Sequence, residues 1–424
     1  MDLLTYVKYT QILRDELIPA TGCTEPIALA WAAAMGRKML PAEPESILCW
    51  ASASIIKNVK SVVVPNTDGL KGIEAAVAAG VTVGAADKEL EVLSAVPADA
   101  HARILSFMDR CPITVKLSAS AESFDILLEM KAGEHFSRVR IAGHHTNVVL
   151  LEQDGKLLKE NQTTLESVQQ GSDDPFMTIK GIYEYAKSCR MEDVEETIQR
   201  QIDCNVALAN AGMSGEWGAQ IGRMILEKGG TENTLAKARA YAAAGSDARM
   251  SGCEMPAVIN SGSGNQGLTI TLPVVTYAEA MYTPRELLIR ALVFANLSSI
   301  RIKKEIGCLS AYCGAVCAGC AAGAGIGFLR GDPCDVLERA IVNGLAILSG
   351  TICDGAKPSC AAKIAMSVEA GVMALEMAER GNDFHGGDGI VKNNTEETIH
   401  EVGTLCREGM SVTNDVVLNI MLGK

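Results

Sequence analysis

A chain of 424 residues can bury a sizeable core as one large or two intergrown domains. Its 38 Lys and Arg against 51 Asp and Glu give a formal net charge of -13, which repels nucleic acid phosphates and anionic lipid and suits a protein that meets small molecules. No nucleic acid and no membrane partner is expected. The N-terminal stretch carries charges throughout and no apolar run, so no signal peptide is expected and the cytoplasm is the expected location. There the 14 cysteines would stay reduced, available for packing, metal or catalysis rather than disulfides.

In chain order, residues 2–39 predict two helices separated by the turn PATGCTEP, with Leu4, Val7, Ile12, Leu13 and Leu17 approximating one apolar face. Pro26 suits the first turn of the second helix, where its missing N–H costs little. Cys23 then stands at a helix N-terminus, where the dipole favours a thiolate. From about 45 to 160 the short β-branched runs SVVVPN, ITVKLSAS, FDILLEMKA, SRVRIAG and TNVVLLEQDGKLLKE predict strands, with helices at 71–83 and 86–95. From about 175 onward helices joined by Gly-rich turns are expected, among them 192–211, 233–245, 284–299, 334–349 and 359–380. The 22 uncharged residues from Cys308 to Leu329 are long enough to span hydrocarbon, but they are mostly Gly, Ala, Cys and Ser. They predict a tightly packed interior helix, with breaks at its glycines. The expected class is α+β: a largely helical domain from 1–44 and 165–424, with an inserted α/β lobe over 45–164.

Four places concentrate chemistry. Cys313, Cys353 and Cys360 are spaced 40 and 7 residues apart, which matches no structural zinc pattern but suits a cluster pocket at helix ends. Cys308, Cys317 and Cys320 compete with Cys313 for any such role, and Cys49, Cys111, Cys189, Cys204, Cys253, Cys334 and Cys406 are assigned to packing. In CDGAKPSC, Lys357 places a cation beside the thiols; the competing reading is an ordinary helix connection. In NSGSGNQG, Ser261, Ser263, Asn265 and Gln266 can bind an amino acid's carboxylate or amine, and the Lys-Ser/Thr ending of a P-loop is missing. In the inserted lobe, Asn66 and Thr67 of VVPNTDGLKG and one of His144 and His145 end apparent strands, where loops often face ligands. Adjacent strand residues face opposite ways, and His145 is preferred.

The motifs GCTEP, SGSGNQG, SAYCG and ICDGAKPSC, in that order, resemble the L-cysteine desulfidase family, which is related to the α-domain of iron–sulfur L-serine dehydratases. The resemblance implies a [4Fe-4S] cluster, with Cys313, Cys353 and Cys360 as ligands and Cys23 beside them as ligand or catalytic thiol. It implies conversion of L-cysteine to pyruvate, ammonia and sulfide. An open iron would pull on the substrate's sulfur while a base removes the α-proton. Cys23, Lys357 and His145 are the candidate bases, and Glu25 a candidate for orienting the amine. Two alternatives stand beside this reading: L-serine dehydratase with the same cluster, and a non-enzymatic protein that binds an amino acid. The small-residue helices suit a homodimer.

Overall fold

The computed structural model describes residues 1–120, 122–160, 175–307 and 310–423. Cys308 and the domain boundary expected at 164/165 lie outside these residues. The fold is α+β with a helical majority, as expected.

The first helix, Leu3–Glu16, starts at Asp2, whose side chain caps the Thr5 N–H. Strand β1, Pro19–Thr21, leads into the Thr24–Met39 helix, buried along nearly its whole length. A six-stranded sheet follows, from β2 (Ser46–Ala51), β3 (Ile113–Leu117), β4 (Asp125–Ala132), β5 (His135–Ala142), β6 (Val148–Gln153) and β7 (Lys156–Glu160). Its order is β3-β2-β4-β5-β6-β7, antiparallel except for the parallel β2–β3 pair. Alternation along β2 buries Ile47, Cys49 and Ala51. On that face lies a core shared with the Gly72–Val83 helix and the Thr24–Met39 helix. By packing, the latter belongs with the sheet, although its sequence position grouped it with the helical domain.

The run SVVVPN is not a strand. Val63 makes a single bridge to Lys71, because Pro65 has no N–H to donate and Asn66 and Asp68 take positive φ of 58° and 56°, which turns the chain. The helix expected at 86–95 shortens to a 3-10 turn at Ala86–Glu91, interrupted at Glu89, whose φ is 48°. His144 and His145 lie in the turn between β5 and β6, closed by the Asn147 N–H to the His144 carbonyl. The opposite-face argument therefore does not apply, yet the turn exposes His144 and buries His145.

The second core is built by the helices from Ile179 onward together with the first helix, which contributes Tyr9 and Leu13. At its centre the Gly314–Arg330 helix is continuous rather than broken at its glycines. Each interior Gly costs a helix about 1 kcal/mol relative to Ala. What offsets this is close approach: a Cβ on Gly371 would sit 2.0 Å from the Gly319 carbonyl oxygen, and one on Gly323 2.1 Å from that of Gly371. The Gly314–Arg330 and Cys360–Glu379 helices thus cross backbone to backbone. Among the described residues no helix is long and apolar enough to cross a membrane. Strand β8, Pro256–Val258, pairs antiparallel with β1 and ties the two cores together.

Candidate active site

Four helices point their N-termini into one cavity. Cys23 caps the Thr24–Met39 helix, Ser263 the Gly264–Ala280 helix and Cys313 the Gly314–Arg330 helix, and Cys360 opens the Cys360–Glu379 helix. First-turn N–H groups have no intrahelical acceptor, and each N-terminus carries about half a positive charge. The cavity is therefore built for anions and thiolates.

Long-range backbone pairing sets the register of these ends. The β1–β8 ribbon lays GCTEP beside SGSGNQG, and the Thr24 hydroxyl donates to the Gly262 carbonyl at 2.8 Å. Tyr312 and Ile352 form a second antiparallel bridge, flanked by Cys313 N–H to Thr351 carbonyl at 3.0 Å and Cys353 N–H to Ala311 carbonyl at 2.6 Å. Side chains alternate on such a pair, so Cys313 and Cys353 share the face opposite the buried Tyr312 ring. Cys360 joins them from the end of its own helix, its thiol donating to the Gly355 carbonyl at 3.7 Å.

Burial pushes the Cys313 thiol up to about 12, with the neighbouring Cys353 adding to the rise, and burial also raises Cys360. Lys363 pulls both thiols the other way without offsetting burial, and a metal would reverse the situation by taking the proton's place. Among the described residues no three His, Cys, Asp or Glu side chains converge on a single ion. A cluster binds each thiolate to a different iron, so its ligands stand apart around one cavity. Cys313 and Cys360 at helix N-termini and Cys353 in the loop ahead of Cys360, with Lys303 and Lys363 lining the same cavity, fit that donor set.

The same cavity is lined by acid–base groups. Glu25 is buried and accepts from the Cys23 thiol at 2.8 Å through Oε2 and from Asn58 Nδ2 at 2.9 Å through Oε1. Burial pushes its carboxyl up, but His145, the Cys23 thiol and the Asn58 amide outweigh this and hold it below the ordinary range. Cys23 moves the other way: burial, then the Glu25 charge, lift it well above a normal thiol. The thiolate expected from the helix dipole is thus overruled by desolvation and a neighbouring carboxylate. His145 is 7% exposed, and its Nε2 has no partner among the described residues. Burial lowers its pKa against the opposing pull of Glu25. Its ring rests edge-on against Phe124 and over Gly262, where a Cβ would come within 2.7 Å.

Comparison with known proteins decides the kinship. Residues 87–419 match the family model described as "Serine dehydratase alpha chain". The chain belongs to the serine dehydratase alpha chain family. Similar full-length relatives are UPF0597 proteins. That of Desulfitobacterium hafniense is 47% identical, covering 99% of this chain and 97% of its own. That of Finegoldia magna is 43% identical over 98% and 99% of the two chains, and that of Treponema denticola 41% over 100% and 99%. The family match begins beyond Cys23 and Glu25, which the full-length relatives do cover.

In this serine dehydratase alpha chain relative, the cavity gathers Cys23, Glu25, His145, Ser263, Asn265, Gln266, Cys313, Cys353 and Cys360 from the residues singled out in the sequence. Three others fall elsewhere. Lys357 is held by an ion pair with Asp354 and donates to the Gly355 carbonyl at 3.1 Å; it does not line the cavity, although its charge acts on the Cys360 thiol. Asn66 donates to the Leu93 carbonyl and Thr67 to the Val64 carbonyl at 2.7 Å; both fasten their own turn rather than reach the cavity. Sequence reasoning missed Asn58, Arg249, Lys303 and Lys363, which line it, and Lys57. Lys57 is buried and donates to the Cys353 carbonyl at 3.2 Å and to Asn414 Oδ1 at 2.7 Å. The i, i+3 spacing of Lys363 from Cys360 was the one available signal.

Proposed function

We propose that this chain is a β-eliminating lyase for a small amino acid, an L-cysteine desulfidase giving pyruvate, ammonia and hydrogen sulfide. The observation that carries the reading is the meeting of Cys313, Cys353 and Cys360 with the Glu25–His145 pair in one cavity ringed by helix N-termini. Cys313, Cys353 and Cys360 would hold a [4Fe-4S] cluster. When bound, the cluster supplies an open iron as Lewis acid toward the leaving sulfur.

The chain's own residues supply the rest. His145, kept neutral by burial, takes the α-proton on Nε2. Glu25 stays ionised and stabilises the imidazolium that forms. As the α-C–H bond breaks, its electrons form the Cα–Cβ double bond and the Cβ–S pair leaves with sulfur. The aminoacrylate released hydrolyses in water to pyruvate and ammonia. Cys23 remains a thiol that donates to Glu25 and fixes the carboxylate's position. Such thiol chemistry suits a reducing compartment, and we place the protein in the cytoplasm.

Purification without oxygen is expected to yield brown protein containing iron and acid-labile sulfide, and C353A to lose both colour and sulfide release. A colourless, fully active enzyme overturns the proposal. A second reading, L-serine as substrate, is favoured by the family's description. Sulfide and pyruvate measured side by side on cysteine and serine separate the two.

A further inference from the structure

Arg249 ends the long Thr234–Met250 helix and is 4% exposed. Its guanidinium lines the cavity, yet among the described residues it pairs with no carboxylate. Among the described residues its one side-chain bond runs from Nη1 to Asn265 Oδ1 at 3.2 Å, and Nε is buried without a partner. A buried cation with no counter-ion costs several kcal/mol, unless an anion arrives with the ligand.

The surroundings specify that anion. Nε lies against the first turn of the Gly264–Ala280 helix, where a Cβ on Gly264 would come within 2.4 Å of it. Glycine at 264 is what lets the guanidinium lie there. The first-turn N–H groups of Gly264 and Asn265 are free of intrahelical acceptors and add donors beside the fork. Guanidinium plus backbone N–H is a geometry for a planar, bidentate carboxylate. Nearby, Gln266 Oε1 is buried with no partner among the described residues and offers an acceptor for the ammonium of the same molecule.

We infer that Arg249 is the substrate anchor: with the N-terminus of the Gly264–Ala280 helix it binds the α-carboxylate of a free amino acid, and Asn265 positions it. The inference rests on the proposed lyase reading for the identity of the ligand as an amino acid, but its test does not depend on turnover. The anchor also sets specificity. A peptide or an amide, lacking a free carboxylate, leaves the buried guanidinium unpaired and is rejected.

The test uses two unreactive probes, L-alanine and L-alaninamide, in binding calorimetry on the full-length protein, with iron content and melting recorded for each variant. Wild type is expected to bind L-alanine about ten-fold or more tightly than the amide. R249M is expected to abolish that preference, and R249K to keep only part of it. G264A, which leaves Arg249 in place but pushes its guanidinium off the helix end, is expected to weaken L-alanine alone and serves if R249M fails to fold. Equal binding of the two probes by wild type, or a preference that survives in both R249M and G264A, overturns the inference. Failure of the lyase reading looks different: wild type would prefer L-alanine yet hold no iron and release no sulfide.

Discussion

The Cys23 thiol donates to Glu25 Oε2 at 2.8 Å, and both groups are buried, so the proton they share belongs to sulfur. Glu25 is held low and Cys23 high, each partly by the other. Removing the carboxylate charge in E25Q lowers the Cys23 pKa. Alkylation of Cys23 at about pH 8, followed by mass spectrometry, is expected to run faster in E25Q than in wild type. An unchanged or slower rate contradicts the assignment of the proton.

His145 offers a pH signature. Burial holds its pKa below the ordinary 6.5, so the neutral, base-competent form persists to lower pH than for an exposed histidine. The acid limb of kcat/KM is expected to have its midpoint below 6.5. The neighbouring His144 contributes to the depression, so H144Q is expected to move that midpoint upward. H145Q is expected to cost about 10²- to 10⁴-fold in kcat. A limb at the ordinary position, unmoved by H144Q, argues against His145 as base.

The cysteines divide by location. C360S is expected to lose iron, because Cys360 opens a helix at the cavity. C320A is expected to keep it: Cys320 is buried against Gly344 inside the helical core, and its loss costs stability of about 1 kcal/mol. Iron analysis and chemical melts on the two variants check this, and iron loss in C320A would reassign the ligands.

The helix crossing at Gly371 links packing to the thiols. G371A adds a Cβ 2.0 Å from the Gly319 carbonyl oxygen and must spread the two helices whose N-termini carry Cys313 and Cys360. The expected cost is about 3 kcal/mol. Iron retention is expected to fall along with thermal stability, whereas an equally destabilising change in the sheet should leave the iron in place.

Asp247 predicts a pH effect of the opposite sign to an ordinary carboxylate. Burial pushes it up to about 6, and although Oδ2 accepts from the Gly222 N–H at 3.1 Å, Oδ1 has no partner among the described residues. The folded state therefore holds a proton that the unfolded chain loses near 3.8, and stability from this group falls as pH rises from there through about 6. D247N is expected to raise the melting temperature above that window, by the equivalent of about 3 kcal/mol at most, with the advantage vanishing toward pH ~4. A variant no more stable than wild type at neutral pH contradicts the sign.

The sequence carried the helical half well because apolar periodicity over long segments survives any tertiary detail, as in Met191–Ser214 and Cys360–Glu379. Short elements were harder. SILCWA of β2 is only six residues, running straight into the next helix, and it escaped notice, while SVVVPN had strand composition but the wrong backbone at Pro65. At the cavity, clustered motifs announced the cysteines, Glu25 and the SGSGNQG loop. Arg249, Asn58 and Lys57 gave no such signal, since each is a lone polar residue whose role arises only when distant helices close around it. Asn66 and Thr67 looked like ligand groups because turn-stabilising and ligand-binding side chains are the same types.

The β1–β8 ribbon has a consequence for assembly. It pairs Pro19 with Val258, so the loop it closes contains the entire six-stranded sheet, and GCTEP meets SGSGNQG only when that closure is made. Such a distant contact carries its loop-closure cost before its packing rewards it, and it is expected to form late. A growing chain would therefore expose its reactive thiols on incomplete surfaces without the acid–base groups that share their cavity. Chemistry would switch on only in the finished molecule, and the yield of active protein should follow the efficiency of this one closure.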